Sequence, residues 1–281
     1  AEAGTIPDNT TVLVVAGPQV GLLPGEVALV QEYVAGGGSL LWLHDPGDLH
    51  GLGPLAESLG ITLGAGTVVD PTARIFGIDN PAIVVVTGYG THPVTAGFDL
   101  VSVFPQATPV RGGDPASGWE ATGLLATAPQ AWSETGPLEG EIRYQEAEDL
   151  AGPLDLAVAL ERPLPGAGGD ATGAAAGEAA GPGAPPAGDA GPRQRVLVVG
   201  DGDFLSNAYL GSGGNLELGF NMVSWLASDD ALLDIPVRSA PDTRLDLSPT
   251  ATLALGGGFL AALPLGLLAT GVVVWLRRRR R

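Results

Sequence analysis

The sequence predicts an α/β domain that is held on a membrane by one C-terminal transmembrane helix. Strand-like and helix-like segments alternate over the first 60 or so residues, which is typical of a βαβ unit with a right-handed crossover. Near the C-terminus, a long uncharged apolar run precedes five consecutive arginines. Between these regions lies an Ala/Gly/Pro-rich stretch with almost no large apolar residue. These observations set the domain organisation.

The N-terminal elements are predicted from apolar patterning. They are, in order, a strand at 11–16 (TVLVVA), a helix at 24–35, a strand at 39–43 (SLLWL), a helix at 53–59 and a strand at 61–63. The continuous apolar runs are typical of buried parallel strands. Val27, Val30 and Val34 recur at helical spacing in the first helix, and three glycines end it.

Further elements follow the same criteria. Strands are predicted at 82–87 (AIVVVT), 101–110, 123–128, 154–160 (LDLAVAL) and 195–199 (RVLVV). An amphipathic helix is predicted at 215–227, with an inward face formed by Leu218, Met222, Trp225 and Leu226. The Ala/Gly/Pro-rich residues 163–194 cannot pack a core, so we expect a disordered surface loop there.

The membrane segment is predicted at 250–276, beyond a domain at 1–234 and a polar stalk at 235–249. Its uncharged run exceeds the roughly 20 apolar residues that a spanning helix needs, whereas a buried core helix or a signal h-region fits poorly. Trp275 suits the interfacial belt, and Arg277, Arg278 and Arg279 belong to a basic tail at 277–281. By the positive-inside rule this tail is cytoplasmic, so the domain is expected on the non-cytoplasmic side of the cell membrane.

Composition excludes several function classes. The net charge is −18 and all thirteen basic residues are arginines, so the field of the protein repels nucleic acid. The chain has no cysteine, which excludes disulfides, thiolate nucleophiles and Cys-ligated zinc. P-loop, GxGxxG and GxSxG motifs are absent, so we predict no ATPase or dinucleotide cofactor in this chain.

A polar cluster follows the strand at 39–43. His44, Asp45, Asp48 and His50 form the sequence HDPGDLH, at the sheet edge where open α/β sheets bind ligands. Two histidines and two aspartates can hold a divalent metal. Asp-Pro-Gly is also ordinary turn chemistry, which makes a solvated turn the competing interpretation. We therefore predict no metal, and keep His44 and Asp45 as candidate ligand-binding residues.

A second acidic pair follows the strand at 195–199. Asp201 and Asp203, in the sequence GDGDF, can bind a cation through paired carboxylates. The alternative is a tight turn at the strand end, with the aspartates near a helix N-terminus. We keep both residues as candidate ligand-binding residues and predict no catalytic residue. His92, in a Pro-bearing loop, is predicted to be structural.

Several segments together resemble one family. They are VLVVAGPQVGLLPGEVALVQEYVAGGGSLLWLHDP, THPVTAGFDLVSVFPQATPV, VLVVGDGDFLSN and GNLELGFNMVSWLA, followed by a stalk, an apolar run and arginines. In this order and spacing they resemble the C-terminal portion of GldG-like auxiliary proteins of ABC-type transport systems. Members usually carry an N-terminal transmembrane helix and further upstream sequence, so we expect the chain to be a fragment or a processed form.

The resemblance carries expectations about fold and partners. It implies a three-layer α/β sheet of the flavodoxin-like or glutamine-amidotransferase-like kind. It also implies an ABC-2-type permease with its own cytoplasmic ATPase as partners. No catalytic residues follow from it.

Three hypotheses about function remain from the sequence. The first is a non-enzymatic auxiliary subunit whose extracytoplasmic domain binds cargo, envelope material or another subunit. The second is a membrane-anchored hydrolase or metal-dependent enzyme that uses the HDPGDLH or GDGDF loop. The third is a ligand-binding sensor domain, in which a small molecule would raise the melting temperature.

Overall fold

The fold is known from a computed structural model that describes residues 4–140, 142–164, 192–228 and 263–279. The strands of this part of the chain are β1 (Val12–Ala16), β2 (Ser39–Leu43), β3 (Ile61–Leu63), β4 (Thr67–Val69), β5 (Ile83–Val86), β6 (Gly88–Tyr89), β7 (Ser102–Pro105), β8 (Val110–Gly112), β9 (Glu120–Ala126), β10 (Trp132–Glu134), β11 (Leu150–Ala151), β12 (Asp155–Pro163) and β13 (Arg193–Val199). The α-helices are α1 (Pro24–Ala35), α2 (Gly53–Leu59), α3 (Asn215–Leu226) and α4 (Leu263–Arg279), and 3₁₀ helices lie at Pro71–Phe76, Pro93–Thr95 and Pro115–Ser117.

Six strands form a mixed central sheet in the order β1-β2-β13-β12-β9-β6. β1, β2 and β13 are parallel, while β12 is antiparallel to both of its neighbours and β6 is antiparallel to β9. The predicted α/β class is confirmed, and so is the parallel pairing of the first two strands. The flavodoxin-like or glutamine-amidotransferase-like form is not confirmed, because β12 and β6 run opposite to the other four strands.

Helices cover both faces of this sheet. On one face, Val27, Val30 and Val34 of α1 pack with α2 and with Leu40 and Trp42 of β2. On the other face, α3 packs through buried residues onto the alternate side chains of β2 and β13. The inward residues predicted for α3 are all buried, namely Leu218, Met222, Trp225 and Leu226. The helical spacing in α1 and α3 and the continuous apolar run of β2 therefore identify these core residues correctly.

The strands predicted at 82–87 and 101–110 belong to smaller sheets outside the central sheet. The predicted strand at 82–87 is β5, which pairs with β7 outside the central sheet. The predicted strand at 101–110 was wrong as one element, because the chain turns between β7 and β8. Gln106 has a left-handed φ of 58° there, and Pro105 and Pro109 flank it.

The boundaries of the predicted disordered loop at 163–194 also need correction. Pro163 pairs with Arg193 at the end of the β12–β13 ladder, so both residues are ordered. Gln194 is fully buried, and its Nε2 donates to the carbonyl oxygens of Val34 at 2.6 Å and Gly38 at 2.7 Å. Its side chain therefore joins β13 to the end of α1. Residues 165–191 lie outside the described residues.

The C-terminal unit is described from α4 alone. This helix is 17 residues long, and Trp275 and Arg277–Arg279 lie in its last turns, with the Arg279 guanidinium 5.3 Å from the centre of the Trp275 ring. Within the described ranges, no helix has the length and apolar character needed to cross a bilayer. Residues 235–262, which include the predicted stalk and the first part of the predicted span, lie outside those ranges, so the transmembrane helix stays a prediction.

Replacing Gln194 by Ala tests the link between β13 and α1. The change leaves two buried carbonyl oxygens without their side-chain donor, so we expect the free energy of unfolding to fall by roughly 2–4 kcal/mol. Denaturant titration of the full chain measures it, with exposed Gln130→Ala as the matched control. A loss no larger than that of the control would contradict the structural role of Gln194.

Candidate functional site

The two acidic loops singled out in the sequence meet at the carboxyl end of the parallel strands. Beyond β1 and β2, the Gly17 N–H donates to the Leu43 carbonyl at 3.0 Å, and the His44 N–H donates to the Val199 carbonyl at 2.9 Å. These bonds keep the three chain segments side by side past the strands. The loop with Asp45 therefore lies next to the loop with Asp201, at the edge where open α/β sheets place their ligands.

Asp45 lies between the glycines of the two neighbouring loops. Its Oδ1 accepts a hydrogen bond from the Gly202 N–H at 2.7 Å, and its Oδ2 accepts one from Gln19 Nε2 at 3.3 Å. A Cβ at Gly202 would lie 2.8 Å from Asp45 Oδ1, and a Cβ at Gly17 would lie 2.9 Å from Oδ2. The absence of side chains at both glycines is what lets this carboxylate tie the loops together.

Asp201 is fully buried and organises the turn that leads to α3. Its Oδ1 accepts from the N–H groups of Asp203 at 2.7 Å and Phe204 at 2.8 Å, whereas Oδ2 has no partner among the described residues. The pKa of Asp201 is raised to about 8, and burial is the largest cause; the two N–H groups lower the pKa, and the charges of Asp45 and Asp203 raise it. The carboxyl group is therefore mostly protonated at pH 7.

His44 and Asp203 do not join this pair. His44 follows Leu40 and Trp42 on the face covered by α1 and α2, and its ring lies 5.8 Å from that of Trp42. Asp201 instead contacts Phe204, which belongs to the core on the α3 face. Burial lowers the pKa of His44, so its imidazole is neutral at pH 7. Asp203 is exposed, and its contact with Asp201 is made by its backbone N–H and not by its side chain.

This arrangement has the chemistry of a stabilised turn. Each hydrogen bond to Asp45 or Asp201 comes from a backbone N–H or from Gln19. Within the part of the chain that the structure describes, no three His, Asp or Glu side chains are grouped so that they could hold a metal ion. The geometry thus agrees with the turn interpretation of both loops, and it does not bring the four candidate residues together.

Asn215 is the residue at this edge that sequence reasoning missed. It is fully buried, and its Nδ2 donates to the carbonyl oxygens of Val103 at 2.8 Å, Phe204 at 3.0 Å and Tyr209 at 3.1 Å. Its Oδ1 accepts from the Val103 N–H at 2.9 Å. The side chain thus fixes the loop after Asp201 against β7. The only sequence signal was a polar residue directly after two glycines, which indicates a helix start and nothing more.

His92 takes a structural position, as predicted. Its Nδ1 accepts from the Val94 N–H at 3.2 Å, and its ring lies 4.7 Å from that of Trp225. Burial, with a smaller contribution from the charge of Arg195, lowers the pKa of His92 to about 4. Since the unfolded chain takes up this proton near 6.5, His92 contributes stability above pH 6.5 that is lost as the pH falls towards 4.

The raised pKa of Asp201 predicts a pH effect of the opposite sign. Its protonated form stabilises the fold below the ordinary value of 3.8, and this contribution is lost as the pH rises towards about 8. We expect Asp201→Asn to stay neutral and to gain stability relative to wild type across this range. Denaturant titrations at several pH values measure the difference, in which the shared His92 effect cancels. Parallel stability curves for the two proteins would contradict the assignment.

Comparisons with known proteins identify the family. The sequence profile of a family described as "ABC-type uncharacterized transport system" matches residues 1–233. Among solved structures, one titled "mmIFT52 N-terminal domain" is similar, with a TM-score of 0.50 and 16% identity over 77% of each chain. At that identity the likeness concerns the fold alone. No curated protein matches the sequence. The family match spans most of the chain and includes both acidic loops, so the protein is a GldG-like auxiliary component of an ABC-type transport system.

Proposed function

We propose that the chain is a non-enzymatic, membrane-anchored subunit that works with an ABC-2-type permease and a cytoplasmic ATPase. Its domain would bind cargo, envelope material or another subunit on the non-cytoplasmic side. The family match over residues 1–233 is the observation that carries this proposal. The sequence adds support, because residues 1–281 contain no P-loop and a separate ATPase subunit would supply the energy for transport.

The geometry of the acidic loops supports a non-enzymatic role. A general base or metal ligand needs an oxygen that faces a reacting group. The described contacts of Asp45 and of Asp201 Oδ1 are instead with backbone N–H groups and Gln19. The remaining oxygen, Asp201 Oδ2, is buried. The turn thus accounts for the contacts of Asp45 and of Asp201 Oδ1.

The proposed anchor is the apolar run at 250–276. The contact of Arg279 with Trp275 in α4 suits an aromatic residue at the membrane interface beside a basic tail. The uncharged run and the five arginines support a cytoplasmic position of this tail, by the positive-inside rule. Under this arrangement the protein is a single-pass component of the cell membrane.

The outer face of α3 supports contact with another transporter subunit. Leu216, Phe220 and Val223 recur at helical spacing and are 38%, 37% and 43% exposed, although the opposite face of the same helix is fully buried. An apolar stripe of this kind is typical of helices that dock onto a protein partner. We assign the stripe to the partner subunit rather than to a small cargo molecule.

Purification in mild detergent tests the proposed assembly. We expect the full-length protein to bring down an ABC permease and its ATPase in near-stoichiometric amounts from native membranes. Val223→Glu should reduce that recovery because it places a charge in the stripe, whereas Val20→Glu, at a residue that is 76% exposed in a loop, should not. Recovery of the wild-type protein alone, under conditions where other membrane complexes survive, would contradict the proposal.

A further inference from the structure

A cavity separate from the acidic loops lies between the 3₁₀ helix Pro71–Phe76 and β10. Its volume is about 540 Å³, which falls in the range of small-molecule sites, roughly 300–1,000 Å³. Much of its wall is apolar and comes from Val69, Pro71, Pro81, Trp132 and Ile142. Two charged residues, Asp70 and Arg74, also line the cavity.

Asp70 supplies an acceptor without a donor. The residue is fully buried at the end of β4, and its Oδ1 accepts from the N–H of Thr72 at 2.9 Å and from the Thr72 hydroxyl. Its Oδ2 has no hydrogen-bond partner in the described part of the chain. Buried carboxylate oxygens are ordinarily satisfied, so this atom needs an explanation. A donor brought by a ligand in the cavity provides one.

Arg74 supplies the opposite charge. Its side chain is exposed, and its guanidinium makes no ion pair or hydrogen bond within the described ranges. The chain has a net charge of −18, so acidic partners are plentiful, yet none of the described acidic residues pairs with this arginine. A guanidinium presents a planar set of donors that matches a carboxylate. Arg74 is therefore available for an anionic group of a ligand.

Trp132 gives the cavity a fixed apolar wall. Its Nε1 donates at 3.0 Å to Oε2 of Glu134, a buried residue whose Oε1 accepts from the Gly136 N–H at 2.9 Å. Because the polar edge of the indole is occupied by Glu134, its carbon surface is what remains for the cavity. With the two prolines, this surface suits an apolar side chain of a ligand.

We propose that this cavity binds a zwitterionic ligand of the amino-acid class with an apolar side chain. The ammonium group donates to Asp70 Oδ2, the carboxylate binds Arg74, and the side chain packs on Trp132. Since Asp70 is shielded from solvent, binding requires a small outward movement of the 3₁₀ helix, whose residues Ile75 and Phe76 are 82% and 49% exposed. A free amino acid and a short peptide share this chemistry.

Matched probes test the proposal on the full-length protein in detergent. Isothermal titration calorimetry compares L-leucine with N-acetyl-L-leucine, which lacks the ammonium, and L-leucinamide, which lacks the carboxylate. We expect each blocked form to bind at least about tenfold more weakly than the zwitterion, because each loses a charged hydrogen bond. Trileucine distinguishes a short peptide from a free amino acid as the ligand. Tighter binding of trileucine identifies a peptide site, and tighter binding of leucine identifies a free amino-acid site. Failure of both to bind, or equal binding of the blocked forms, would overturn the proposal.

Variants place the binding at this cavity. Arg74→Gln and Asp70→Asn should each weaken binding of the zwitterion about tenfold or more, and both retain side chains of similar size. Arg111→Gln, at another exposed arginine, and Asp114→Asn are the controls. Asp114 makes the same kind of turn as Asp70, since its Oδ1 accepts from the N–H two residues on. Wild-type affinity in the Arg74 variant would overturn the proposal.

Discussion

Strand β13 joins the two halves of the central sheet, and the rest of the folded part depends on its pairing. It lies parallel to β2 and antiparallel to β12, so without it the sheet would separate into β1–β2 and β12–β9–β6. Its residues Val196, Leu197, Val198 and Val199 are fully buried and contribute to the cores on both faces. Burial of such side chains stabilises a fold by about 1.5–3 kcal/mol each. Gln194 extends the same strand to the end of α1.

The position of β13 also determines what the carboxyl edge of the sheet can do. Asp201 and Gly202 follow this strand directly and lie beside Gly17 and Asp45. The chain then turns before it begins α3. The carboxyl groups at this edge are occupied by that turn, with Asn215 closing it from the other side. The described contacts of Asp45 and Asp201 are those of the turn, and their candidate ligand-binding role stays a prediction. We propose that this auxiliary subunit recognises its partner and its ligand through other surfaces, namely the outer face of α3 and the cavity beside Trp132.

Local features of this molecule could be predicted from its sequence, and features that depend on distant contacts could not. The bounds of α1 and α2 and the buried face of α3 follow from periodicity within a few residues. An apolar run such as LDLAVAL predicts a strand but carries no direction, so the antiparallel placement of β12 was missed. Gln194 was assigned to the loop because its partners, Val34 and Gly38, are about 160 residues away. The two acidic loops meet because they follow the parallel strands β2 and β13 at the same edge of the sheet. His44 lies on the face covered by α1 and α2, because side chains alternate between the two faces and His44 continues the positions of Leu40 and Trp42.

Hydrogen exchange of the backbone amides tests the central position of β13 most directly. If this strand holds the sheet together, the amides of β13, β2 and β12 exchange with one shared free energy, equal to that of global unfolding. The amides of the β1–β2 pair then show no separate opening. Exchange of β1 and β2 through a lower-energy opening, while β12 and β9 stay protected, would contradict the account, because the two halves of the sheet would then be independently stable.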